Sequence, residues 1–171
     1  MKGFFMIRLS LIITLVIISS VFGATNSSTY RFSAKEMASD RKAGVTIFKG
    51  DAKIIKIDET SKKSGDESDH VYADQISVYR DAETNEIIKI EAIGNVNMRE
   101  GDLLSTCAHA IMYESEDRIE MDGSPAIVDD GKNKIEAPSI TFYRKENRLE
   151  AKGNVSGYIT IEEKEEKAQK D

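Results

Sequence analysis

Two eight-residue segments of this chain are nearly the same: KIEAIGNV at residues 89–96 and RLEAKGNV at residues 148–155. In each segment small or apolar residues alternate with polar ones, and a period of two residues is typical of a half-buried β-strand. The segment FKGDAKI at residues 48–54 alternates in the same way. A chain with this repeat must place one face of several strands against a common core. The repeat therefore predicts an all-β protein built from similar units.

These segments belong to a longer unit that occurs four times. The unit has an alanine, an apolar residue three positions later, a polar turn, a short alternating run and a glycine. The alanines are Ala34, Ala73, Ala108 and Ala137, the apolar residues are Met37, Ile76, Ile111 and Ile140, and the glycines are Gly50, Gly94, Gly123 and Gly153. The turns SDRKAG, RDAETNE, ESED and RKEN are rich in turn-forming residues. Each unit is predicted to form a strand, a turn and a second strand.

The four glycines lie inside predicted strands, where glycine usually marks a bulge, a bend or a close backbone approach. None of them has the spacing of a phosphate-binding loop. Because they occupy the same place in each unit, we expect four successive layers of chain to bend at one corner.

The N-terminus has the pattern of a secretion signal. Lys2 and Arg8 are followed by an apolar run at residues 9–22, and small residues surround Gly23. The run is shorter than the roughly 20 residues with which an α-helix crosses a bilayer. We therefore predict that residues 1–23 are a signal peptide that is removed on export.

The remaining 148 residues suit one domain with a substantial core. We expect the β domain over residues 24–161 and a charged, disordered tail at residues 162–171. The signal carries two basic residues and no acidic ones, so its removal changes the net charge from −6 to −8. This charge argues against binding to nucleic acid and against electrostatic docking on anionic lipid headgroups.

The sequence offers little catalytic chemistry. Cys107 is the only cysteine, so no internal disulfide can form, and its setting in LSTCAHA predicts a small buried side chain. His70 and His109 lack the partner spacing of a metal site. No hydroxyl lies in a nucleophile-elbow pattern. We expect no enzymatic activity, no metal and no cofactor.

Several segments together resemble the OstA or LptA family of lipopolysaccharide-transport proteins. They are SAKEMASDRKAGVTIFKGDAKI, HVYADQISVYRD, TNEIIKIEAIGNV, APSITFY and NRLEAKGNVSGYI. The similarity runs over residues 30–159. It implies a β-jellyroll of stacked antiparallel strands with open ends, whose protomers join end to end in the periplasm and shield the acyl chains of lipopolysaccharide. The polar insert Glu59 to His70 departs from the family pattern, and we expect a flexible loop there.

A carrier of this kind needs an apolar trough. The candidates to line it are the apolar residues on the inward side of the predicted strands. They are Phe48, Ile54, Ile76, Ile90, Ile111, Ile119, Met121, Ile140, Phe142, Leu149 and Val155. The same residues would equally fill a closed core, because a trough and a core have the same pattern.

An open stack leaves an unpaired strand at each end, and such edges pair with other chains. The predicted edges are TYRFSA at residues 29–34, with Tyr30 and Phe32, and VSGYITI at residues 155–161, with Tyr158 and Ile159. We expect head-to-tail association through these edges. The resemblance further implies partners of similar fold, an LptC-like component at the inner membrane and an LptD-like component at the outer membrane, with an acylated glycolipid as cargo.

Two other interpretations remain open. In one, residues 7–24 stay as a membrane anchor and the protein is an LptC-like lipid-transfer component. In the other, the chain is a structural β-repeat protein of the cell envelope without a lipid cargo. The mass of the exported protein separates the first from a soluble carrier, and lipid co-purification separates the second.

Overall fold

The computed structural model describes residues 29–57 and 69–161. The predicted signal, the tail at residues 162–171 and nearly all of the polar insert lie outside the described residues. His70, which we had placed at the end of the insert, is buried and begins a strand.

The described chain forms ten β-strands and one short 3₁₀ turn, Glu114–Glu116. The strands are β1 (Thr29–Ser33), β2 (Glu36–Asp40), β3 (Val45–Ile57), β4 (His70–Arg80), β5 (Ile87–Glu100), β6 (Leu103–Tyr113), β7 (Arg118–Asp129), β8 (Lys134–Tyr143), β9 (Arg148–Lys152) and β10 (Ser156–Tyr158). The predicted all-β class is confirmed. Within the described ranges no helix is long and apolar enough to cross a membrane.

The ten strands of the described residues belong to one antiparallel sheet in which most sequence neighbours pair. The order is β1-β3-β4-β5-β6-β7-β8-β10, while β2 pairs with the first part of β3 and β9 with the last part of β8. The four predicted turns connect β2 to β3, β4 to β5, β6 to β7 and β8 to β9. The strand-turn-strand units are therefore present as predicted.

The long strands are interrupted by register shifts at one level of the sheet. The pairing of β3 with β4 shifts between Lys49 and Ala52, and comparable shifts occur in the next four strand pairs. A bulge bends a strand and increases its twist. The shifts divide the sheet into two layers joined along a corner. Layer one contains β2, β9 and one half of each long strand, at residues 45–49, 75–80, 87–93, 109–113, 118–122 and 139–143. Layer two contains β1, β10 and the other half of each long strand, at residues 52–57, 70–73, 96–100, 103–107, 126–129 and 134–137.

The repeated glycines lie at this corner, as expected. Gly94 and Asn95 both have left-handed backbone conformations, with φ of 78° and 47°. Glycine adopts that region freely, and asparagine and aspartate tolerate it better than other residues do. Gly50 and Asp51 repeat the arrangement with φ of 75° and 50°. The Gly-Asn and Gly-Asp pairs in the sequence are thus explained by the bend.

Small inward side chains accompany the corner and let the two layers meet closely. These residues are Ala52, Ala73, Ala92, Ala110, Ala126 and Ala137, and all six are buried. Larger inward residues, such as Ile76, Ile90 and Met121, lie farther along the layers and form the core.

The third repeat is shifted by one residue from our reading of the sequence. In β6 the buried positions are Ser105, Cys107, Ala110 and Met112, whereas Ala108 is exposed. Ile111 pairs with Glu91 and Glu120 on the outer face. Side chains alternate along a strand, so a shift of one residue reverses the face of every side chain. The expectation that Ile111 lines the interior is wrong for this reason.

Candidate functional site

An apolar interior lies between the two layers. Ile90, Met112 and Phe142 line it from layer one, and Ile54 and Met98 line it from layer two. Because both layers contribute to the same space, the interior is the region between the sheets rather than a pocket on one surface. It runs across neighbouring strands, as a channel along the stack requires.

The interior is closely filled in its central part. The free space there is only about 60 Å³, less than the roughly 150 Å³ of an apolar cavity that holds one benzene molecule. Ile76, Met121 and Ile140 are almost fully buried. In this conformation the central part is a packed core and not an open trough.

The N-terminal end of the interior is more open. A second cavity of about 250 Å³ lies there, lined by Tyr30, Phe32 and Met37 together with residues of β3 and β5. Phe32 packs against Phe48 with ring centroids 4.7 Å apart. Even so, Phe32 and Met37 remain 55% and 58% exposed. The apolar interior is therefore continuous with an exposed apolar surface at this end of the stack.

The C-terminal end also exposes apolar residues. Val155 occupies the place in its repeat that Val96 occupies in the earlier one, yet Val155 is 53% exposed whereas Val96 is 2% exposed. No further strand of the described chain covers Val155, since β10 is the last strand. The expectation that Val155 lines the interior is thus wrong for the isolated chain.

Most of the other predicted interior residues lie where the sequence placed them. The structure buries Phe48, Ile54, Ile76, Ile90, Ile119, Met121, Ile140 and Phe142, and it packs the half-buried Leu149 against them. Their contact with a lipid stays a prediction.

The predicted edge strands lie at opposite ends of the sheet. β1, with Tyr30 and Phe32, pairs only with β3, and β10 pairs only with β8. The final strand is shorter than expected, because it ends at Tyr158 and leaves Ile159 beyond it, 74% exposed. The sequence predicted strands at β2 and β9, but we did not foresee that they are the unpaired edges of layer one.

Charged residues close the side of the interior opposite the corner, which we call the mouth. There the turns at residues 114–117 and 144–147 of layer one approach the end of β5 in layer two. Arg144 contacts Glu114 and, across the mouth, Glu100. Sequence reasoning missed these residues, since charged residues in polar turns are usually solvated, and no local signal distinguishes them.

The outer face of layer one explains the polar half of the repeated segments. Its cations stack on tyrosines of the neighbouring strands and pair with a glutamate two residues later. The sets are Tyr79, Lys89 and Glu91; Tyr113, Arg118 and Glu120; and Tyr143, Arg148 and Glu150. Cation–π contacts of this kind contribute about 0.5–1 kcal/mol each at exposed sites. The repeated segments therefore specify a row of apolar side chains on the inner face and a ladder of polar side chains on the outer face.

In the part of the chain that the structure describes, titratable residues do not gather into a site of catalytic type. Cys107 is buried, and burial raises the pKa of its thiol to about 11. His109 lies on the outer face, with Nε2 3.1 Å from Oε1 of Glu91, while His70 lies in the interior. Among the described residues no group of three or more histidine, cysteine or carboxylate side chains is arranged to hold a metal ion.

Comparisons with known proteins agree with this architecture. Residues 31–148 match the family described as LptA/(LptD N-terminal domain) LPS transport protein. Among solved structures, the crystal structure of LptH, the LptA homologous periplasmic component of the lipopolysaccharide transport device from Pseudomonas aeruginosa, matches with a TM-score of 0.62. The match has 12% sequence identity and covers 78% of this chain and 96% of LptH, and it confirms the expected β-jellyroll fold. No curated protein matches the chain.

Proposed function

Because the chain belongs to the LptA and LptD N-terminal domain family of lipopolysaccharide transport proteins, we propose that it is a periplasmic bridge for lipopolysaccharide or a related acylated glycolipid. Its β domain shields acyl chains from water between the inner and outer membranes. The chain carries no nucleotide-binding motif, so it acts as a passive conduit that an energised partner loads. Mass spectrometry of the exported protein is expected to show the loss of residues 1–23, and their retention would favour an anchored component instead.

The observation that supports the proposal is the apolar interior shared by the two layers and continued at the N-terminal end by Phe32 and Met37. Burial of apolar surface contributes about 0.8 kcal/mol per CH₂, so about 10 kcal/mol separates a twelve-carbon chain in water from one inside such an interior. Because this contribution is apolar, we expect lipid binding to change little with salt.

Photo-crosslinking in cells tests the cargo. A photoreactive amino acid at Ile76, Ile90, Ile140 or Leu149 is expected to crosslink to lipopolysaccharide, because these side chains face the interior. The matched control is Lys152, an exposed residue on β9, at which little crosslinking is expected. If all four inward positions fail while Lys152 crosslinks efficiently, the interior is not the lipid path.

We also propose that copies of the domain associate head to tail. The edges β1 and β2 lie at one end and β9 and β10 at the other, each pair with unpaired backbone groups and with exposed apolar side chains nearby. Such an interface joins different surfaces and so forms open filaments. A similar fold in a membrane-bound partner could dock on the same edges, which would continue the apolar path into that partner.

Light scattering over a concentration series tests this assembly. The wild-type mass is expected to rise with concentration, and Phe32→Asp is expected to hold the protein as a monomer, because a carboxylate would be buried in the joint. The control is Leu104→Asp, which changes an exposed apolar residue on the outer face of β6, away from both ends. A wild-type protein that stays monomeric at all concentrations would contradict the proposed joint.

A further inference from the structure

Arg144 links the two layers at the mouth of the interior. Its guanidinium lies 3.3 Å from Oε2 of Glu114 and 3.9 Å from Oδ1 of Asp117, both of which belong to the turn of layer one. Its other terminal nitrogen lies 3.9 Å from Oε1 of Glu100, the last residue of β5 in layer two. The contact between Arg144 and Glu100 therefore crosses from one layer to the other.

The backbone of Arg144 is hydrogen-bonded to layer one. Its backbone N–H donates to the carbonyl oxygen of Asp117 over 2.8 Å, which fixes the turn after β8 to the turn after β6. The side chain is 17% exposed, so it lies over the interior and not in open solvent. On the other side of the mouth, Glu100 is surrounded by Asp69 and Lys56 as well as by Glu114 and Arg144.

The small free volume of the central interior requires a movement before an acyl chain can occupy it. The layers cannot separate at the corner, because each long strand, such as β5 and β7, continues there from one layer into the other. At the mouth the layers are joined by side chains. The mouth is thus the side on which the layers can separate.

We propose that Arg144 is a clasp between the layers, and that an acyl chain reaches the central interior when the contact between Arg144 and Glu100 breaks. This inference rests on the proposed function, since it concerns access to the same interior. It assigns the control of that access to one side chain of the turn after β8.

The charges around Arg144 determine whether the two layers attract or repel each other at the mouth. Without the arginine, Glu100 of layer two would face Glu114 and Asp117 of layer one, and like charges at this separation repel. The arginine thus converts a repulsive mouth into an attractive one. Removal of its charge is expected to widen the mouth, with Lys56 beside Glu100 and Lys145 beside Asp117 limiting the repulsion that remains.

The geometry also makes the clasp reversible. A separation of 3.9 Å between Arg144 and Glu100 is longer than a normal hydrogen bond. The Nε of Arg144 is buried and has no hydrogen-bond partner among the described residues. A contact that leaves a donor unsatisfied is weaker than a fully bonded pair, so lipid insertion can break it.

Distance measurements across the mouth test the clasp without any lipid. Spin labels are placed at Asp102→Cys and Ser115→Cys, which are exposed positions on opposite sides of the mouth, in a Cys107→Ala background. Arg144→Gln is expected to shift the distance distribution to longer values. The control is Lys145→Gln, which removes a charge from the same turn but one that pairs with Asp117 of its own layer.

A second variant distinguishes a clasp from general damage to the turn. Glu100→Gln together with Arg144→Gln removes the repelling carboxylate of layer two, so the distances are expected to return toward those of the wild type. The exchanged pair Glu100→Arg with Arg144→Glu is expected to keep the mouth closed. If Arg144→Gln fails to fold, the exchanged pair decides: a wild-type distribution supports the clasp, and a widened one overturns it.

The rate of acyl-chain uptake gives the functional arm. With cis-parinaric acid, a fluorescent fatty acid, as the probe, Arg144→Gln is expected to raise the association rate about fivefold, the scale of one modest ion pair. Unchanged distances together with an unchanged rate would overturn the clasp. Longer distances in a protein that never takes up the fatty acid would support the clasp and count against the proposed transport function.

Discussion

The corner and the mouth close the same interior by different means. At the corner, alanines such as Ala92 and Ala137 are completely buried, and the bend is made by backbone conformation at Gly94 and Asn95. At the mouth, Arg144 and Glu100 meet through long charged side chains. The first closure is the continuous backbone of the strands, whereas the second depends on a contact that can break and re-form.

The difference indicates where this sheet can move. The layers cannot separate at the corner without a break in the strands themselves, and a wider angle there would expose the buried alanines, which opposes motion. Separation at the mouth breaks one long ion pair and exposes part of the apolar interior, but it leaves every strand continuous. The corner is therefore expected to act as a hinge line, and the mouth as the side that opens.

The largest contrast is expected in thiol reactivity. Cys107 lies inside, next to the corner, and burial raises its pKa to about 11. At pH 8 its thiolate fraction is lower than that of a free thiol by on the order of 100-fold, before any steric protection is counted.

A thiol reagent is thus expected to modify wild-type protein slowly and a Cys107→Ala, Asp102→Cys variant quickly, because Asp102 is exposed at the mouth. With an aromatic disulfide as the reagent, the absorbance of the released aromatic thiolate measures the reaction rate at each position. Equal rates for the two positions would show that Cys107 is as accessible as an exposed residue, which would contradict a packed corner.

The corner and the core could largely be predicted from the sequence, and the mouth could not. The glycine followed by asparagine or aspartate predicts a bend from backbone physics alone, because few other residues tolerate positive φ. Alternation along β5 and β9 assigned Ile90 and Leu149 to the inner face. These signals are local, so one sequence contains them in full.

The errors arose where the answer depends on position in the stack or on a distant partner. Ile111 was misplaced because β6 offers apolar side chains on both faces, and only the pairing register decides between them. Val155 has an inward pattern but lacks a covering strand. Arg144 and Glu100 are 44 residues apart in the chain, and their contact follows from the bend, which no local motif records.

Glycine substitutions compare the two regions directly. Gly94→Ala is expected to lower the free energy of unfolding by about 2 kcal/mol, because alanine is strained at positive φ. Its Cβ would also lie 2.3 Å from Oδ2 of Asp74, which would displace the hydrogen bond from Asn95 to that carboxylate.

The matched control is Gly101→Ala in the turn after β5, at the mouth. Gly101 has a similar φ of 60°, but a Cβ there would meet nothing within 4 Å. The expected loss is about 1 kcal/mol, from backbone strain alone. Urea unfolding of both variants gives the two values, and a loss at Gly101 equal to or larger than that at Gly94 would contradict the distinction between a packed corner and an open mouth.

The smallest expected effect is the pH dependence that Glu100 gives to folding. Burial raises the pKa of Glu100 above the ordinary value of a glutamate, and the nearby Arg144 only partly opposes this increase. A carboxyl with a raised pKa binds more protons in the folded state than in the unfolded state, so its contribution to stability is lost as the pH rises through the folded value. Glu100→Gln mimics the protonated form. Its stability relative to wild type is therefore expected to be higher at pH 7 than at pH 3.5, by less than about 1 kcal/mol because the side chain is partly solvated.

Asp130, in the turn after β7, is expected to give the stability a pH dependence of the opposite sign. Hydrogen bonds from the side chain and backbone of Asn133, and from the backbone of Lys132, lower its pKa. The stabilisation that Asp130 gives is present above its unfolded pKa and is lost as the pH falls through the lower folded value. Asp130→Asn is thus expected to be less stable than wild type at pH 7 and to approach the stability of wild type in acid.

Urea unfolding of both variants at a series of pH values measures the two differences in stability. Parallel curves for Glu100→Gln and wild type would show that Glu100 is fully solvated, and a mouth of that kind would have no partly buried ion pair to join its two sides.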